Sequence, residues 1–532
     1  MTTTTPSVGQ GVLQLVDARG CREWLNALPV TNLAQAQPLA LEQLRSLNAS
    51  SMAGIERLKC LELMRDKVGF MVGEQRARHL GAALPLAAAD QHAWTAVASL
   101  LGALEAGYRR CAEQASSDAD LAPHGALVAQ RIVRYVAAQM LWQALVHRRV
   151  AGDLWSRLHA QYAQAEEAGN ALAPVKDSLD AEAGASSVAE AYAQAVLMQA
   201  VMLGQMSAEQ IDFAEALLRG WGRKLAVSAS PPAEAGARAL VVDLAQASGP
   251  RHATGESASP SVRFVDTSGV SLSLRKRIHG LQKGEDAMSL GLPAQVGAVE
   301  PLGEMQRLHR WWCETGPAKP AAHPSQVSRA SLVFGIPDLH FFVSGGKPFE
   351  QPGKSRELTP QEKQDIEVFG RVTERTQSRM MAGERRVTAE AWPVVDEAAG
   401  SVRLERPSNA AKHVGVGRVV GIRLGDTGDF YAGVVSEVAQ EDDGKVLATV
   451  TIFPGKPQPI AVRATRNRAP DAWQPALRLP ALEKLKIEAS LIVPAALGAR
   501  GRAIEVWDEG TTAASIRSLV ARGLDFDRVV AD

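Results

Sequence analysis

The pattern of apolar and polar positions changes its period along the chain, and the change separates two kinds of structure. Between about 39 and 226, apolar residues recur at helical spacing; in 91–114, for example, Trp94, Val97, Leu101 and Leu104 share one face. From about 385 to 466 the period becomes two. The first pattern predicts a helical bundle or a solenoid of helical pairs, and the second predicts an antiparallel barrel or sandwich.

Turn and capping residues mark the ends of these predicted elements. Asp, Gly and Pro occur between the alternating runs, at 396–400, 425–429, 442–444 and 454–457. These residues favour tight turns, so they indicate short strands joined by hairpins. In the helical part, Ser207 and Gln210 have the spacing of a capping box and predict a helix that begins just after Ser207.

Composition and periodicity together divide the chain into six segments. We expect a flexible arm with one short helix near 21–28, then an all-α domain, a Ser/Pro/Gly/Ala-rich boundary, a mixed α/β region, a β-barrel and a β-rich extension. Their predicted bounds are 1–35, 36–226, 227–260, 261–365, 366–475 and 476–532. The predicted fold class is α+β multidomain, with an N-terminal all-α bundle or solenoid, a mixed linker region and a C-terminal antiparallel β-barrel. The pattern leaves open whether 231–300 packs with the helices or with the barrel.

One predicted helix has the spacing of a tetratricopeptide repeat. Trp155, Leu158 and Tyr162 recur at i, i+3 and i+7, which resembles the first helix of such a repeat. His159 stands where the repeat has Gly, and the match occurs once. An ordinary amphipathic helix explains the spacing equally well, so both interpretations stay open.

Charge and composition restrict the partners. The chain has 58 Lys and Arg against 58 Asp and Glu, so it has no overall field that would attract DNA, RNA or anionic lipid. Four dispersed cysteines favour free thiols in a reducing compartment. No apolar run reaches the ~20 residues that span a bilayer, and the Thr-rich start lacks the pattern of a signal peptide. We therefore expect a cytoplasmic protein that binds no nucleic acid polymer and does not insert into membranes.

The common catalytic motifs are missing from the sequence. It contains no P-loop, no GxSxG and no HExxH, and Gly415 and Gly417 precede a predicted strand, whereas a dinucleotide fingerprint follows one. The 11 histidines are scattered. No nucleophile, base and orienting group are brought together by spacing. We predict a protein that is not an enzyme and has no cofactor or metal.

The remaining candidates for a functional site are arginines that could bind a ligand. Arg371, Arg375 and Arg379 recur every four residues, and Arg385 and Arg386 come directly before the first predicted barrel strand. Guanidinium groups bind phosphate in a bidentate manner and stack on purine rings. The alternative is a solvated face on which these arginines pair with neighbouring glutamates.

The layout around these arginines resembles the PilZ domain, the receptor module for cyclic di-GMP. In that family an RxxxR motif precedes a strand, an (Asp/Asn)-x-Ser-x-x-Gly turn and a β-barrel. Here 371–375 and 375–379 both fit RxxxR, and the turn is matched by a segment that begins at Asp396. Ala398 replaces the family's Ser, and Ser401 replaces its final Gly, with Gly400 one position early. The resemblance covers about 369–470.

The resemblance implies a ligand, cyclic di-GMP, and a set of residues that bind it. The arginines would contact phosphate and guanine, Asp396 would hold a guanine edge, and Gly400 belongs to the turn that lets the ligand approach. The implied arginines are Arg371, Arg375, Arg379, Arg385 and Arg386. The missing Ser hydroxyl would cost about 1 kcal/mol of binding, and the displaced Gly puts the approach in doubt.

Two functions stay open at this point. The first is a non-enzymatic signalling protein that binds cyclic di-GMP and relays the signal to a helical scaffold with its own protein partner. The second is a protein-interaction adaptor whose PilZ-like barrel no longer binds nucleotide. A further segment, 266–271 followed by Arg275, Lys276 and Arg277, also pairs an Asp-x-Ser sequence with cations. A helix N-cap explains it, and a second, cryptic site is the alternative.

Overall fold

The helical periodicity of the first part of the chain is confirmed by the computed structural model. The structure describes residues 17–79, 84–115, 118–179, 184–201, 203–232, 239–293, 300–316, 321–353, 360–371, 387–426, 428–441, 443–465, 472–495 and 497–532. The chain divides into two compact units, Met1–Ala318 and Lys319–Asp532, which we call the helical unit and the barrel unit. The fold class is α+β multidomain, as predicted.

The helical unit contains α1 to α10. Their bounds are α1 Ala18–Ala27, α2 Leu33–Ala49, α3 Gly54–His79, α4 Ala88–Gln114, α5 Gly125–Ala144, α6 Gly152–Glu167, α7 Val188–Ala200, α8 Ala208–Trp221, α9 Ser268–Gln282 and α10 Pro301–Cys313. The capping box is confirmed: the Ser207 amide donates to the side chain of Gln210 at 2.8 Å, and the Gln210 amide donates to Oγ of Ser207 at 3.4 Å. These bonds satisfy two backbone groups that would otherwise lack partners at the start of α8.

The aromatic ridge of α6 is buried, and His159 belongs to it. Trp155, Leu158 and Tyr162 are all buried. Nδ1 of His159 lies 2.8 Å from the hydroxyl of Tyr192 on α7, and Nε2 lies 3.0 Å from the carbonyl of Ser248. The imidazole therefore connects α6 to α7 and to Ser248, within the predicted boundary segment 227–260. The tetratricopeptide resemblance stays a prediction.

The first part of the predicted mixed region, through α10, belongs to the helical unit, as does 231–260. A four-stranded antiparallel sheet has the order β3-β6-β4-β5, and a separate hairpin is formed by β1 and β2. Their bounds are β1 Val175–Lys176, β2 Ala185–Ser186, β3 Ala226–Ser228, β4 Ala239–Asp243, β5 Arg251–His252 and β6 Val262–Asp266. Helices α9 and α10 pack on each other, and the indole of Trp312 on α10 donates to the carbonyl of Leu197 on α7 at 2.9 Å.

The barrel unit consists of two closed six-stranded antiparallel barrels. The first barrel has the order β10-β11-β12-β9-β8-β7, and the second has the order β13-β14-β15-β18-β17-β16. The strands of the first are β7 Arg329–Phe334, β8 Glu390–Ala398, β9 Ser401–Glu405, β10 Val419–Leu424, β11 Tyr431–Gln440 and β12 Val446–Ile452. Those of the second are β13 Gln458–Ala464, β14 Gln474–Leu479, β15 Ser490–Pro494, β16 Ala503–Trp507, β17 Thr511–Arg522 and β18 Phe526–Ala531. Helices α11 Ile336–Val343 and α12 Pro360–Phe369 lie between β7 and β8 in the chain.

The strand pairing differs from the single barrel that the sequence predicts at 366–475. Strand β7, in the predicted mixed region, pairs with β8 and β10 and closes the first barrel. Strands β13 and β14, inside the predicted range, pair with strands of the second barrel. The physical reason is that long connections separate paired strands, and alternation of apolar residues identifies a strand without identifying its partner.

Helix α11 packs between the two barrels. Ile336 and Leu339 share a buried cluster with Val333 of the first barrel and with Leu477 and Ile492 of the second. Leu339 approaches β10 at Gly421, where a Cβ atom would overlap the Leu339 side chain. The helix therefore joins the barrels through one continuous apolar core. Within the parts of the chain that the structure describes, no helix has the length and apolar character needed to cross a bilayer.

Candidate functional site

The structure describes three of the predicted ligand residues. Arg375, Arg379, Arg385 and Arg386 lie outside the described residues. Arg371 follows the end of α12 and its side chain is exposed. Asp396 and Gly400 lie in the hairpin formed by β8 and β9. The predicted site can therefore be built upward from this hairpin.

The β8–β9 hairpin is closed by a two-residue turn. Ala398 pairs with Ser401, so Ala399 and Gly400 form the turn. Gly400 has φ +75°, a backbone conformation that glycine adopts without a steric cost. A Cβ atom built at Gly400 would meet no other atom within 4 Å. The turn is therefore open, and Gly400 is required by the backbone conformation.

Asp396 lies on the outer face of the first barrel and already has a cationic partner. It pairs in register with Arg403 of β9, and Nη2 of Arg403 lies 2.5 Å from Oδ2 of Asp396. Val402 and Leu404, on either side of Arg403, are buried, so Arg403 points away from the barrel core. The side chain of Arg403 is 46% exposed and that of Asp396 is 20% exposed. The pair therefore presents a guanidinium to solvent beside a partly covered carboxylate.

A serine hydroxyl lies beside the hairpin, although the sequence has Ala398 where the PilZ motif has Ser. The segment 321–328 runs along the end of β8, and His323 and Glu397 exchange backbone hydrogen bonds of 2.8 and 3.0 Å. Ser325 donates to the carboxylate of Glu397 and also lies 2.8 Å from the carbonyl of Val327. These contacts position Ser325 and hold its hydroxyl toward Glu397.

Arg403, the partner of Asp396 in this candidate site, is a residue that the sequence reasoning missed. The sequence interpretation treated all of 396–400 as a turn, whereas the structure continues β8 to Ala398. With a two-residue turn at 399–400, alternation along β9 places Arg403 opposite Asp396. The sequence could therefore have identified Arg403 through the register of the hairpin, which a two-residue loop determines.

The second candidate segment, 266–271, is a strand-to-helix junction in the helical unit. Oδ1 of Asp266 accepts the amide hydrogen bond of Ser268 at 2.8 Å, in the first turn of α9. Oγ of Ser271 lies 3.0 Å from Nε2 of His309 on α10. The guanidinium of Arg277 lies over the ring of Trp221, 5.0 Å from its centroid. The segment is therefore a helix start, as predicted, but the N-cap residue is Thr267, whose side chain forms no capping bond, and Asp266 precedes it.

No group of three or more His, Cys, Asp or Glu side chains that could hold a metal ion occurs among the residues that the structure describes. The β8–β9 hairpin offers a guanidinium, a carboxylate and an open glycine turn. Such a set can bind an anion and the donor edge of a base.

Comparison with known proteins gives similarity over both units. Residues 19–233 match the family model described as "Cyclic-di-GMP receptor FimW, N-terminal domain". The chain is 23% identical to a protein named "Cyclic-di-GMP receptor FimW" from Pseudomonas aeruginosa, in an alignment that covers 92% of this chain and 86% of that protein. No solved structure matches the chain. The closed C-terminal barrels fit the resemblance to PilZ.

Proposed function

We propose that this protein is a non-enzymatic receptor for cyclic di-GMP. The observation that carries the proposal is the similarity to a protein named as a cyclic di-GMP receptor, which extends over 92% of the chain and so includes both the helical unit and the barrels. The matched family model covers α1 to β3 of the helical unit. The β8–β9 hairpin adds a surface whose chemistry suits the ligand.

The proposed site is the outer face of the first barrel at the β8–β9 hairpin. Cyclic di-GMP has two phosphates and two guanines, and guanidinium groups bind both phosphate oxygens and the O6 and N7 edge of guanine. We assign these contacts to Arg403 together with the arginines of 371–386, namely Arg371, Arg375, Arg379, Arg385 and Arg386. A carboxylate has two oxygens and several lone pairs, so Asp396 can accept from a guanine N–H group while it still holds Arg403. The open turn at Gly400 leaves room for the ring system.

The proposed output is a protein interaction of the helical unit. Ligand binding would draw the 371–386 segment onto the barrel and so change what the helical unit offers to a protein partner, which makes the receptor an order–disorder switch. The sequence has no global positive field, so DNA and RNA are not among the proposed partners. We place the protein in the cytoplasm, which the four buried, free cysteines support.

Isothermal titration of cyclic di-GMP into the full-length protein tests the proposal. We expect micromolar or tighter binding, and we expect Arg375→Ala/Arg379→Ala to remove it. A control is Arg517→Ala in the second barrel, which removes a partly exposed arginine that is ion-paired with Glu488. GMP serves as the ligand control, since it has one guanine and lacks the cyclic backbone. No heat with the wild-type protein would reject the proposal.

A second candidate function is an adaptor whose first barrel has lost its ligand. The observation that favours it is the pairing of Asp396 with Arg403 at 2.5 Å, in a turn that lacks the family's Ser at position 398. In that case the pair has a structural role, and both wild type and the arginine variants give no heat with cyclic di-GMP. The helical unit would still bind its partner, and that binding would not respond to the nucleotide.

A further inference from the structure

Helix α9, which follows the second candidate segment, presents one row of mostly basic side chains to solvent. Leu272, Lys276, His279 and Lys283 recur at i, i+4, i+7 and i+11, and all four residues are exposed. Because a helix turns by about 100° per residue, the four positions lie within about 60° of one another. We call these four residues the α9 stripe.

The lysines of the stripe have no counter-ion among the residues that the structure describes. Lys276 and Lys283 form no ion pair and no side-chain hydrogen bond with any of them. Arg275, at the edge of the stripe, has one side-chain contact there, from its Nε to Nε2 of His309 at 3.5 Å. The stretches 294–299 and 317–320, which lie outside the described residues on either side of α10, contain no Asp or Glu. The chain next to α9 and α10 therefore supplies no further carboxylate to these cations.

A further cation lies beside the stripe. Nζ of Lys224 donates to Oγ of Ser273 on α9 at 2.6 Å. Burial lowers the pKa of Lys224, and the charges of Arg277 and Lys276 lower it further. All three groups have the same sign, so this side of α9 is a positive region of the surface.

The stability of α9 does not account for the stripe. A cation near the end of a helix interacts favourably with the macrodipole, and this would explain Lys283 but not Lys276, which lies before the last turn. On a solvated face, lysines commonly pair with acids four residues away, whereas the positions four before and four after Lys276 are Leu272 and Gly280. Leu272 is 73% exposed and so buries little surface in the fold.

Acidic side chains lie at both ends of the positive surface and limit its length. Glu285 and Asp286 follow Lys283 and are exposed. At the other end, Oε1 of Glu314 lies 3.3 Å from Nδ1 of His309, the ring whose Nε2 faces Arg275. The stripe is about 16 Å long at the rise of an α-helix, which matches about three turns of a second helix. A nucleic acid or a bilayer extends beyond that length, where the acids would repel its phosphates.

We propose that the α9 stripe binds a short acidic segment of a protein partner, which also has an apolar residue in contact with Leu272. The proposal rests on the protein interaction proposed as the output of the helical unit, but it does not require that the barrels bind cyclic di-GMP. Exposed ion pairs each contribute little, so several carboxylates together with the contact to Leu272 would provide the affinity.

Fluorescence anisotropy of a labelled synthetic peptide, titrated with the full-length protein in the absence of nucleotide, tests the proposal. The probe is a helical peptide of about twelve residues, a length that matches the stripe, with Glu along one face and one Leu on that face. The same peptide with Gln in place of Glu is the charge control. We expect saturable binding of the Glu peptide, which weakens as salt is added, and no binding of the Gln peptide.

The variants of the stripe all change exposed side chains, so we expect them to fold, and circular dichroism checks this. Lys276→Gln/Lys283→Gln should weaken binding roughly tenfold. The matched control is Arg45→Gln/Arg78→Gln, which removes the same charge from exposed positions on α2 and in the last turn of α3. It should change affinity less than about twofold. Leu272→Ala should weaken binding of the Leu-containing peptide and leave binding of a peptide with Ala at that position unchanged.

Three results would overturn the proposal. The first is no binding of the Glu peptide to the wild-type protein, and the second is an equal loss of affinity in the control variant. The third is binding of a DNA duplex or of phosphatidylglycerol vesicles that depends on Lys276 and Lys283 and is stronger than binding of the peptide. Because no nucleotide is present, these results leave the cyclic di-GMP proposal untouched, and a failed titration of cyclic di-GMP leaves this one untouched.

Discussion

Nη2 of Arg403 lies 2.5 Å from Oδ2 of Asp396, and the two residues are direct partners across the β8–β9 hairpin. Asp396, the acidic position of the PilZ-like motif, thus holds the guanidinium of Arg403 on the outer face of the first barrel. Because Asp396 is less exposed than Arg403, the arginine is the member of the pair that meets an incoming anion first. The resemblance to PilZ implies that Asp396 holds a guanine edge, and Asp396 would do so while it is paired with Arg403.

Arg403→Ala should weaken cyclic di-GMP binding roughly tenfold or more, because it removes a charge-assisted contact to phosphate or guanine. The same change should alter the free energy of unfolding by less than about 1 kcal/mol, since exposed ion pairs contribute little to stability. Arg403→Lys should restore binding only in part, because an ammonium group lacks the planar fork of a guanidinium. Isothermal titration and thermal unfolding of the full-length variants measure the two effects.

Arg517→Ala is the control for this prediction, since Arg517 forms a comparable pair with Glu488 in the second barrel. It should change neither binding nor stability appreciably. Wild-type affinity in Arg403→Ala would remove Arg403 from the site while leaving the receptor proposal in place, provided that the wild-type protein binds.

A second prediction concerns the buried carboxylate of Asp177. Nη2 of Arg65 lies 2.7 Å and Nη1 of Arg131 lies 3.0 Å from its oxygens, and all three side chains are buried. Asp177→Asn would leave two buried cations with one carboxylate fewer, which typically costs about 3–5 kcal/mol. Hydrogen exchange in α3 and α5 of the full-length protein should speed up accordingly. Exchange rates equal to those of the wild type would show that burial of Arg65 and Arg131 in α3 and α5 does not require the carboxylate of Asp177.

The same cluster predicts how the helical unit responds to acid. Burial by itself would raise the pKa of Asp177, but the hydrogen bond from Arg65 and the charge of Arg131 outweigh it, so the pKa is lowered. A carboxyl whose folded pKa is depressed stabilises the fold above its ordinary pKa of about 4 and loses that contribution as the pH falls further. Protection of α3 and α5 should therefore decline below about pH 4, and Asp177→Asn should make that decline shallower.

A third prediction concerns His159 at milder pH. Burial lowers the pKa of this imidazole, and the hydrogen bond to the Ser248 carbonyl opposes the effect only in part. A carbonyl can only accept, so Nε2 carries the proton and Nδ1 accepts from the hydroxyl of Tyr192. The unfolded chain then binds more protons, and stability should fall as the pH drops below about 6.5.

His159→Gln should remove this pH dependence, because the amide group can donate and accept but does not titrate. The measurement is hydrogen exchange in α6 and α7 at pH 7.5 and pH 5.5, compared between the two proteins. If the variant loses protection between these pH values as steeply as the wild type does, another group is responsible for the acid sensitivity.

Local patterns predicted much of the fold because each pattern reports on nearby residues. The spacing of Trp94, Val97 and Leu101 identifies α4, and Ser207 with Gln210 places the start of α8. The pairing partner of a strand, in contrast, can lie far away in the chain, where no local pattern identifies it. Leu332, in β7, pairs with Ile422 of β10 and Glu390 of β8, across two helices and long connections. Alternation cannot report such pairing, so the closing strand was not predicted, and the second barrel was predicted only as a β-rich extension at 476–532.

In the candidate site, too, local features were predictable from the sequence, whereas features that depend on strand pairing were not. The hairpin at 396–401 follows from turn residues, and Asp396 and Gly400 lie in it as the sequence indicates. Arg403 required the register of the hairpin, which depends on a turn length of two residues. Arg375, Arg379, Arg385 and Arg386 lie outside the described residues, so their part in the site stays a prediction.

A fourth prediction tests the proposal that the protein is not an enzyme, at three described side chains whose contacts resemble those of a catalytic triad. Oγ of Ser271 lies 3.0 Å from Nε2 of His309, and Nδ1 of His309 lies 3.3 Å from Oε1 of Glu314. A nucleophile, a base and an orienting acid have this order in serine hydrolases. Burial lowers the pKa of His309, which favours the neutral imidazole that a general base requires.

Other contacts argue for a structural role of these three residues. Ser271 and His309 are both buried where α9 meets α10. Nε of Arg275 also lies 3.5 Å from Nε2 of His309, and so competes with Ser271 for the lone pair that a general base would use. A hydroxyl that joins two helices in this way contributes about 1 kcal/mol to stability. We therefore expect Ser271→Ala to weaken the packing of α9 slightly and to change no chemistry.

A fluorophosphonate probe separates these two roles, because it reacts with serines that a neighbouring base has activated. We expect no label on Ser271 when the native full-length protein is treated and its peptides are analysed by mass spectrometry. Ser273 on the same helix gives an internal comparison, since its hydroxyl bonds the carbonyl of Gly269 and the ammonium group of Lys224. Labelling of Ser271 that disappears in His309→Gln would show an activated nucleophile, and the protein would then have to be reconsidered as a hydrolase.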